Sequence, residues 1–280
     1  MLDFSAFNSL HALVRYFTSN EICKDFLAAQ RWGDDVVCPY CGSHNCHKCK
    51  DGRFVCSNRS CSKKFSVTVG TIFEASNLPL TKWFEGIYLI SAHKKGISSH
   101  QLSRDLGVTQ KTAWNMLHKV RSCFSQNDEI GLSGQVEIDE AYIGGNNKWR
   151  HEWKKQEGGQ GGANKTSIVG LLERTDGRVI AVKTDDTTRK TLFPLISQFV
   201  EGSGTIIYTD ESRIYDALQK DLGFAHLTCN HSAKLFSDGN GTHTNGIEGF
   251  WSHFKRMVYG TYHWVSEDYI QRYIDEYCFR

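Results

Sequence analysis

Five residues between positions 139 and 255 of the 280-residue chain have types and spacing suited to holding divalent cations. Asp139 lies within Gln135-Val-Glu-Ile-Asp-Glu-Ala-Tyr-Ile-Gly-Gly145, where Val136 and Ile138 alternate with Glu137 and Asp139 in the period of a half-buried strand. Aspartate is depleted from strands, so an acid there either faces solvent or is held to bind a metal or move a proton. Asp210 ends a second apolar stretch, Gly204-Thr-Ile-Ile-Tyr-Thr209, at the strand end where α/β folds place functional groups. A third group comes from a helix that Thr244 or Asn245 would cap. Its Ile247, Phe250, Trp251 and Phe254 form an apolar stripe to dock on a sheet. Glu248 and Lys255, two turns apart, share another face, with Asn245 one turn before Glu248.

Two strand-borne aspartates plus a helix-borne carboxylate or amide can hold two hard cations, Mg2+ or Mn2+, through oxygen. Such a pair serves in-line displacement at phosphate, with Lys255 placed to meet a phosphate near the scissile bond. Glu137 and Glu140 are given no role in this chemistry.

The cysteines imply a second metal. Cys38-Pro-Tyr-Cys41-Gly and Cys56-Ser-Asn-Arg-Ser-Cys61 are close pairs on turns, separated by a short hairpin, the arrangement that grips a structural Zn2+ in four thiolates. So small a module would not fold without its ion. Cys46-His-Lys-Cys49 offers another pair in the same loop, and 38/41/56/61 is the favoured register.

Further along, Lys95 to Arg121 reads as two helices. Ser98 or Ser99 caps the first, Gly107-Val108 turns, and Thr109 caps the second. That is the plan of a helix-turn-helix, which presents the start of its second helix to the DNA major groove. Gln110, Lys111 and Asn115 would face DNA, while Ala113, Trp114, Leu117 and Val120 pack inward. An ordinary helical hairpin is the alternative. From 131 onward, strands alternate with helices: an antiparallel pair at 166–172 and 179–184, helices at 192–200 and 216–222, strands at 205–209 and 227–230, and a final helix from 271. Asn146 to Asn164 is a basic, Gly-rich excursion without the pattern of a nucleotide P-loop.

Composition supports this division. Residues 1–130 carry 16 Lys/Arg against 11 Asp/Glu, and residues 131–280 carry 17 against 20, so a basic part precedes a mildly acidic one. No apolar run approaches a membrane span and no signal peptide is evident, so a cytoplasmic, nucleoid-associated protein is expected. The expected domains are N-terminal helices at 1–30, a zinc ribbon at 31–75, a helix-turn-helix at 76–130 and an α/β domain at 131–280.

Several blocks carry a resemblance: Cys38-Pro-Tyr-Cys41 with Cys56 and Cys61, Phe65-Ser-Val-Thr-Val-Gly-Thr-Ile-Phe73, Val136 to Gly145, Tyr208-Thr-Asp210, and His243-Thr-Asn-Gly-Ile-Glu-Gly-Phe-Trp251 with Lys255. Together they resemble the DDE-type insertion-sequence transposases with an N-terminal zinc ribbon, the ISXO2-like, Merlin-related group. The resemblance implies a catalytic domain like RNase H, a mixed sheet flanked by helices, with Asp139 and Asp210 as the first two catalytic acids. The third position varies between Glu and Asn in that group. It favours Asn245, 35 residues after Asp210, with Glu248 beside it in Glu-x6-Lys spacing. The implied reaction is metal-dependent cleavage at terminal inverted repeats, exposing a 3′-hydroxyl that attacks target DNA. Pairing two ends implies a homo-oligomer. An inactive or domesticated relative acting as a DNA-binding regulator is the alternative, to which the abrupt end of the last helix lends some weight. A structure-specific nuclease of RNase H type is a weaker one.

Overall fold

The computed structural model describes residues 6–125, 131–145, 165–202, 204–229 and 243–280. The excursion at 146–164 and most of the loop before the last catalytic block lie outside them. The chain divides into two compact units, Met1–Val120 and Arg121–Arg280.

The first unit opens with helices α1 (Leu10–Tyr16) and α2 (Asn20–Trp32), each started by a serine side chain, Ser9 and Ser19, that accepts a first-turn amide. A three-stranded antiparallel sheet follows, of β1 (Cys46–Lys48), β2 (Phe54–Cys56) and β3 (Lys64–Phe65), in that order. Then come α3 (Leu80–Ala92), α4 (Ser99–Leu106) and α5 (Gln110–Arg121). The N-terminal helices do not stand apart from the rest of the unit. Phe17 and Phe26 of this region meet Phe84 of α3 ring to ring. Trp32 sits edge-on to Phe54 and Phe65 of the sheet, and Arg31 donates to the carbonyls of Val67 and Val69. Ser98 is the residue that caps α4. Gly107 ends α4 in the left-handed region at φ 63°, a conformation that suits glycine, and the Thr109 hydroxyl takes the amide of Thr112 at the start of α5.

The second unit is built on a five-stranded mixed sheet. Its strands are β4 (Gln135–Ile143), β5 (Thr166–Glu173), β6 (Val179–Thr184), β7 (Ile206–Thr209) and β8 (Ala225–Thr228), in the order β6-β5-β4-β7-β8. β4, β5 and β6 run antiparallel, and β7 and β8 add to β4 in parallel. Helices cover both faces. On one, α6 (Arg189–Phe199) and α7 (Leu218–Leu222) join Val136, Ile138, Ile207 and Tyr215 in a buried core. On the other, α8 (Asn245–Met257) and α9 (Ile270–Phe279) enclose Ala141, Ile143 and Ile168 with Ile247, Trp251 and Phe254. The expected mixed sheet with flanking helices is therefore present.

Some element limits differ from those read from sequence. α6 begins at Arg189, where the Asp186 carboxylate takes the Thr188 amide and the Thr191 hydroxyl. The helix expected at 216–222 is a 3-10 turn, Arg213–Ala217, running into the short α7. β8 starts at Ala225 because it pairs in parallel with Ile206 of β7.

Candidate active site

The alternation of β4 sends its side chains to two different cores. Val136 and Ile138 face α6 and α7, whereas Ala141 and Ile143 face α8 and α9. Glu137 and Asp139 share the second face by parity. Glu137 is fully buried. It accepts the Ile247 amide at 2.9 Å and Arg174 Nε at 2.7 Å, and His243 Nδ1 lies 3.3 Å away. The Arg174 guanidinium also donates to the His243 carbonyl and lies 3.8 Å over the Tyr208 ring.

The α8 N-terminus is thus capped by a carboxylate from the neighbouring strand, which satisfies an orphan amide and faces the positive end of the helix dipole. Thr244 stands at the N-cap position, as expected, but its side chain makes no cap hydrogen bond to the helix amides. The Thr244 hydroxyl instead donates to Glu248 Oε1 at 3.0 Å, and Asn245 is the first helical residue.

Gly170 seats the helix. It pairs with Asp139 across the β4–β5 ladder, and a Cβ there would lie 2.5 Å from Trp251 Cζ2 and 2.9 Å from Ile247 Cδ1. Only glycine lets α8 pack this closely at the level of Asp139.

Asp210 arrives from the other side of β4. The parallel register pairs Glu137 with Tyr208, so two further residues on each strand bring Asp139 level with Asp210. After Thr209 the chain leaves the strand. The Ser212 amide donates to Asp210 Oδ1 at 3.0 Å, fixing the carboxylate in a turn. Thr209 Oγ1 lies 2.8 Å from His226 Nε2 and donates to the Asp210 carbonyl.

Charge ties these groups together. Burial pushes the Asp139 carboxyl up to about 6, and the negative charges of Asp210 and Glu248 push the same way, against the Glu140 amide and the Lys255 ammonium. Asp139, Asp210, Glu248 and Lys255 therefore share one electrostatic field. Of the two candidates for the third position, Glu248 acts on the charge of Asp139. Asn245, neutral and exposed, opens the same helix one turn earlier. Glu140 is also pushed up, to about 7, by burial and by Asp139 and Asp210, with the Tyr215 hydroxyl opposing. These carboxylates repel one another and are of the oxygen-donor type that hard divalent cations take, but among the described residues only the four cysteines have three or more ligand atoms within reach of one ion, so the acids would have to draw together around a cation.

In the first unit, the Sγ atoms of Cys38, Cys41, Cys56 and Cys61 lie within 4.8 Å of one another. Cys38–Cys61 is 3.9 Å and Cys41–Cys56 is 3.6 Å. A tetrahedron with Zn–S of about 2.3 Å has edges of about 3.8 Å, so the donors fit zinc. Burial pushes the Cys38 thiol up, but the amides of Tyr40 and Cys41 and the neighbouring Cys41 and Cys56 thiols outweigh it and bring it to about 7. At Cys41 the Ser43 amide is outweighed by burial and by the Cys56, Cys38 and Cys61 thiols, which push it up to about 12, as expected of thiols that share one cluster. Cys46 and Cys49 are not in the group; Cys46 Sγ donates to the Ser43 carbonyl. On α5, Gln110, Lys111 and Asn115 are exposed, while Ala113, Leu117 and Val120 are buried and Trp114 is half-buried.

Glu137, Arg174, His243 and Tyr215 were not singled out by sequence reasoning. The alternation that put Glu137 on the face of Asp139 was a visible signal. Nothing local marks Arg174, which reaches Glu137 only because β4 and β5 are adjacent strands.

Comparison with known proteins assigns the family. Residues 131–280 match the ISXO2-like transposase domain, and the chain belongs to that family. It is similar to an uncharacterized protein in transposable element ISH50 of Halobacterium salinarum (strain ATCC 700922 / JCM 11081 / NRC-1), 26% identical and spanning 95% of this chain and 92% of that one. Among solved structures, the catalytic core domain of BIV integrase is similar at 15% identity and a TM-score of 0.35, over 51% of this chain and 81% of that one. A simian T-cell lymphotropic virus intasome in complex with the PP2A regulatory subunit B56 gamma gives 14% identity and a TM-score of 0.32, over 64% and 63%. Among the described residues, no helix is long and apolar enough to cross a membrane.

Proposed function

We propose that this transposase binds the terminal inverted repeats of an insertion sequence, cleaves DNA at their ends and transfers the resulting strand to target DNA. The observation that carries the proposal is the match of residues 131–280 to the ISXO2-like transposase domain, with the β4–β7 register bringing Asp139 level with Asp210. The sheet order, with three antiparallel strands followed by two parallel ones, supports an RNase H-like reading of residues 131–280.

Asp139, Asp210 and the Asn245/Glu248 pair would hold two Mg2+ or Mn2+ ions. When bound, such ions neutralise charge on the attacking and leaving oxygens at phosphorus. The protein's own groups do the rest. Asp139 and Asp210 would hold the ions against which the reacting phosphate seats, and Lys255 neutralises a neighbouring non-bridging oxygen. Glu137 and Arg174 hold α8 in register, so that Glu248 and Lys255 flank the acids. Water opens the first phosphodiester and leaves a 3′-hydroxyl, which then attacks target DNA with no covalent enzyme intermediate.

DNA recognition is assigned to residues 31–130. The α4–α5 pair would act as a helix-turn-helix with Gln110, Lys111 and Asn115 toward the bases, next to a ribbon closed by Zn2+ on Cys38, Cys41, Cys56 and Cys61. Joining two element ends calls for a homo-oligomer, and the working location is the nucleoid.

The test uses the purified, zinc-loaded chain, labelled duplexes carrying the repeats that flank its gene, and Mg2+ or Mn2+. New 3′-hydroxyl ends are expected at the element boundary. Asp139→Asn and Asp210→Asn each remove several kcal/mol of transition-state stabilisation, or about a thousandfold in rate or more, while gel-shift binding persists. Cleavage that survives both substitutions contradicts the proposal.

A further inference from the structure

The β4–β7 ladder stops short of the acids it brings together. Its last paired residues are Glu137 and Tyr208, so no backbone hydrogen bond joins the two strands at the level of Asp139 and Asp210. Beyond that point the chain after Asp210 turns away through Ser212 into the 3-10 turn Arg213–Ala217. A side-chain contact crosses the gap. Tyr215, fully buried in that turn, donates its hydroxyl to Glu140 Oε1 at 2.5 Å, and Glu140 directly follows Asp139 on β4.

The contact has fixed ends. The Tyr215 ring is held in the core with Ile138, Leu218 and Phe224. The Glu140 backbone is held by its pairing with Val169 of β5. By strand parity, the Glu140 side chain leaves β4 on the side opposite Asp139, so it reaches the Asp210 segment from behind the acids.

We infer that the Tyr215–Glu140 hydrogen bond is the positioning strap that sets the separation of Asp139 and Asp210, and with it the affinity of the site for divalent cations. Neither residue touches the reacting atoms. The inference rests on the metal-site reading above. A short hydrogen bond to a carboxylate is among the stronger kinds, and a metal pair tolerates little change in donor spacing. Loss of the hydroxyl frees the Asp210 turn to drift from β4 while both aspartates remain.

The test compares the full-length, zinc-loaded wild type with Tyr215→Phe, Glu140→Ala and Glu140→Gln. Mn2+ binding is read from the free-ion EPR signal, and the Mg2+ dependence of nicking is measured beside it. Tyr215→Phe and Glu140→Ala are expected to weaken Mn2+ binding about tenfold and to raise the Mg2+ needed for half-maximal nicking in step, with the rate at saturating Mg2+ largely restored. Glu140→Gln keeps an acceptor oxygen for the tyrosine and is expected to stay within about threefold of wild type. Unchanged Mn2+ binding in Tyr215→Phe and Glu140→Ala overturns the strap. So does a Glu140→Gln variant that binds Mn2+ as poorly as Glu140→Ala, because that result makes Glu140 a ligand. A wild-type protein that binds Mn2+ normally but does not nick contradicts the transposase reading and leaves the strap standing on its binding data. A wild type that binds no Mn2+ overturns both.

Discussion

The two candidate metal sites are built in opposite ways. The four cysteines lie within 24 residues of sequence, Cys56 ending β2 and the others in the loops around a sheet whose strands are two or three residues long. The apolar cluster beneath them is small: Phe54, Phe65 and Val67 with the two buried thiols, and Trp32 and a few half-buried neighbours at its edge. The acids at 139, 210 and 248 span 110 residues and are carried by elements already fixed by two large cores. A metal in the first site therefore supplies folding free energy, while a metal in the second supplies chemistry to a scaffold that stands without it.

This contrast can be broken most severely by removing zinc. Structural zinc in small modules is worth about 10–16 kcal/mol. Chelation, or Cys56→Ser, is expected to expose residues 34–70 to rapid proteolysis while cuts within β4–β8 remain slow, with peptides identified by mass spectrometry. Equal protection of both regions would mean that the ribbon folds on its own core.

The second site is sensitive at its scaffold. Glu137→Ala leaves the Arg174 guanidinium without its carboxylate and the Ile247 amide without an acceptor, a loss of about 3–5 kcal/mol by analogy with broken buried ion pairs. Urea denaturation of the second unit checks it. Gly170→Ala places a methyl group against Trp251 and Ile247, and overpacking of this kind costs about 1–3 kcal/mol. A larger fall in nicking than in stability is expected, because α8 is pushed away at the level of Asp139.

The smallest effect is on pH dependence. Asp139 and Glu140 both hold their protons more tightly in the fold than in the unfolded chain, where each would titrate near its ordinary carboxylate value. The folded state therefore carries extra protons from about pH 4 up to about 6 for Asp139 and about 7 for Glu140, and stability falls as pH rises through that window. In Mg2+-free buffer the melting temperature is expected to decline across it. Mn2+ should flatten the decline, since a bound cation replaces the protons, and should add more at pH 7 than at pH 5. A Mn2+ effect independent of pH would separate the metal from these acids.

Much of this organisation was legible in sequence because it is written in short-range periodicity. The alternation around Asp139, the cysteine pairs, and the Gly107 and Thr109 turn are local signals: the first is a strand, the second a cluster of four thiols, and the third a turn between two helices. The apolar stripe of α8 gave its packing face correctly. What was not legible depends on which strands are neighbours. Glu137 reads as one more acid until Arg174 and the start of α8 are brought to it from 37 and 110 residues away. Tyr215 reads as a core aromatic until the end of the β4–β7 ladder leaves its hydroxyl to bridge to Glu140. The limits of α6 and of the turn after Asp210 were missed for a related reason: they are set by the Asp186 carboxylate and by the exit of the chain from β7.

Asp139 and Asp210 are proposed to form one divalent-cation site. Titration of Mn2+ into the zinc-loaded full-length protein, with wild type, each Asp→Asn variant and the double variant compared by calorimetry, tests it most directly. Binding should be strongly weakened by either single substitution, and the double variant should lose little more, because both residues serve the same ions. Wild-type binding retained in both single variants, or two additive losses, would mean that the acids do not act as one site.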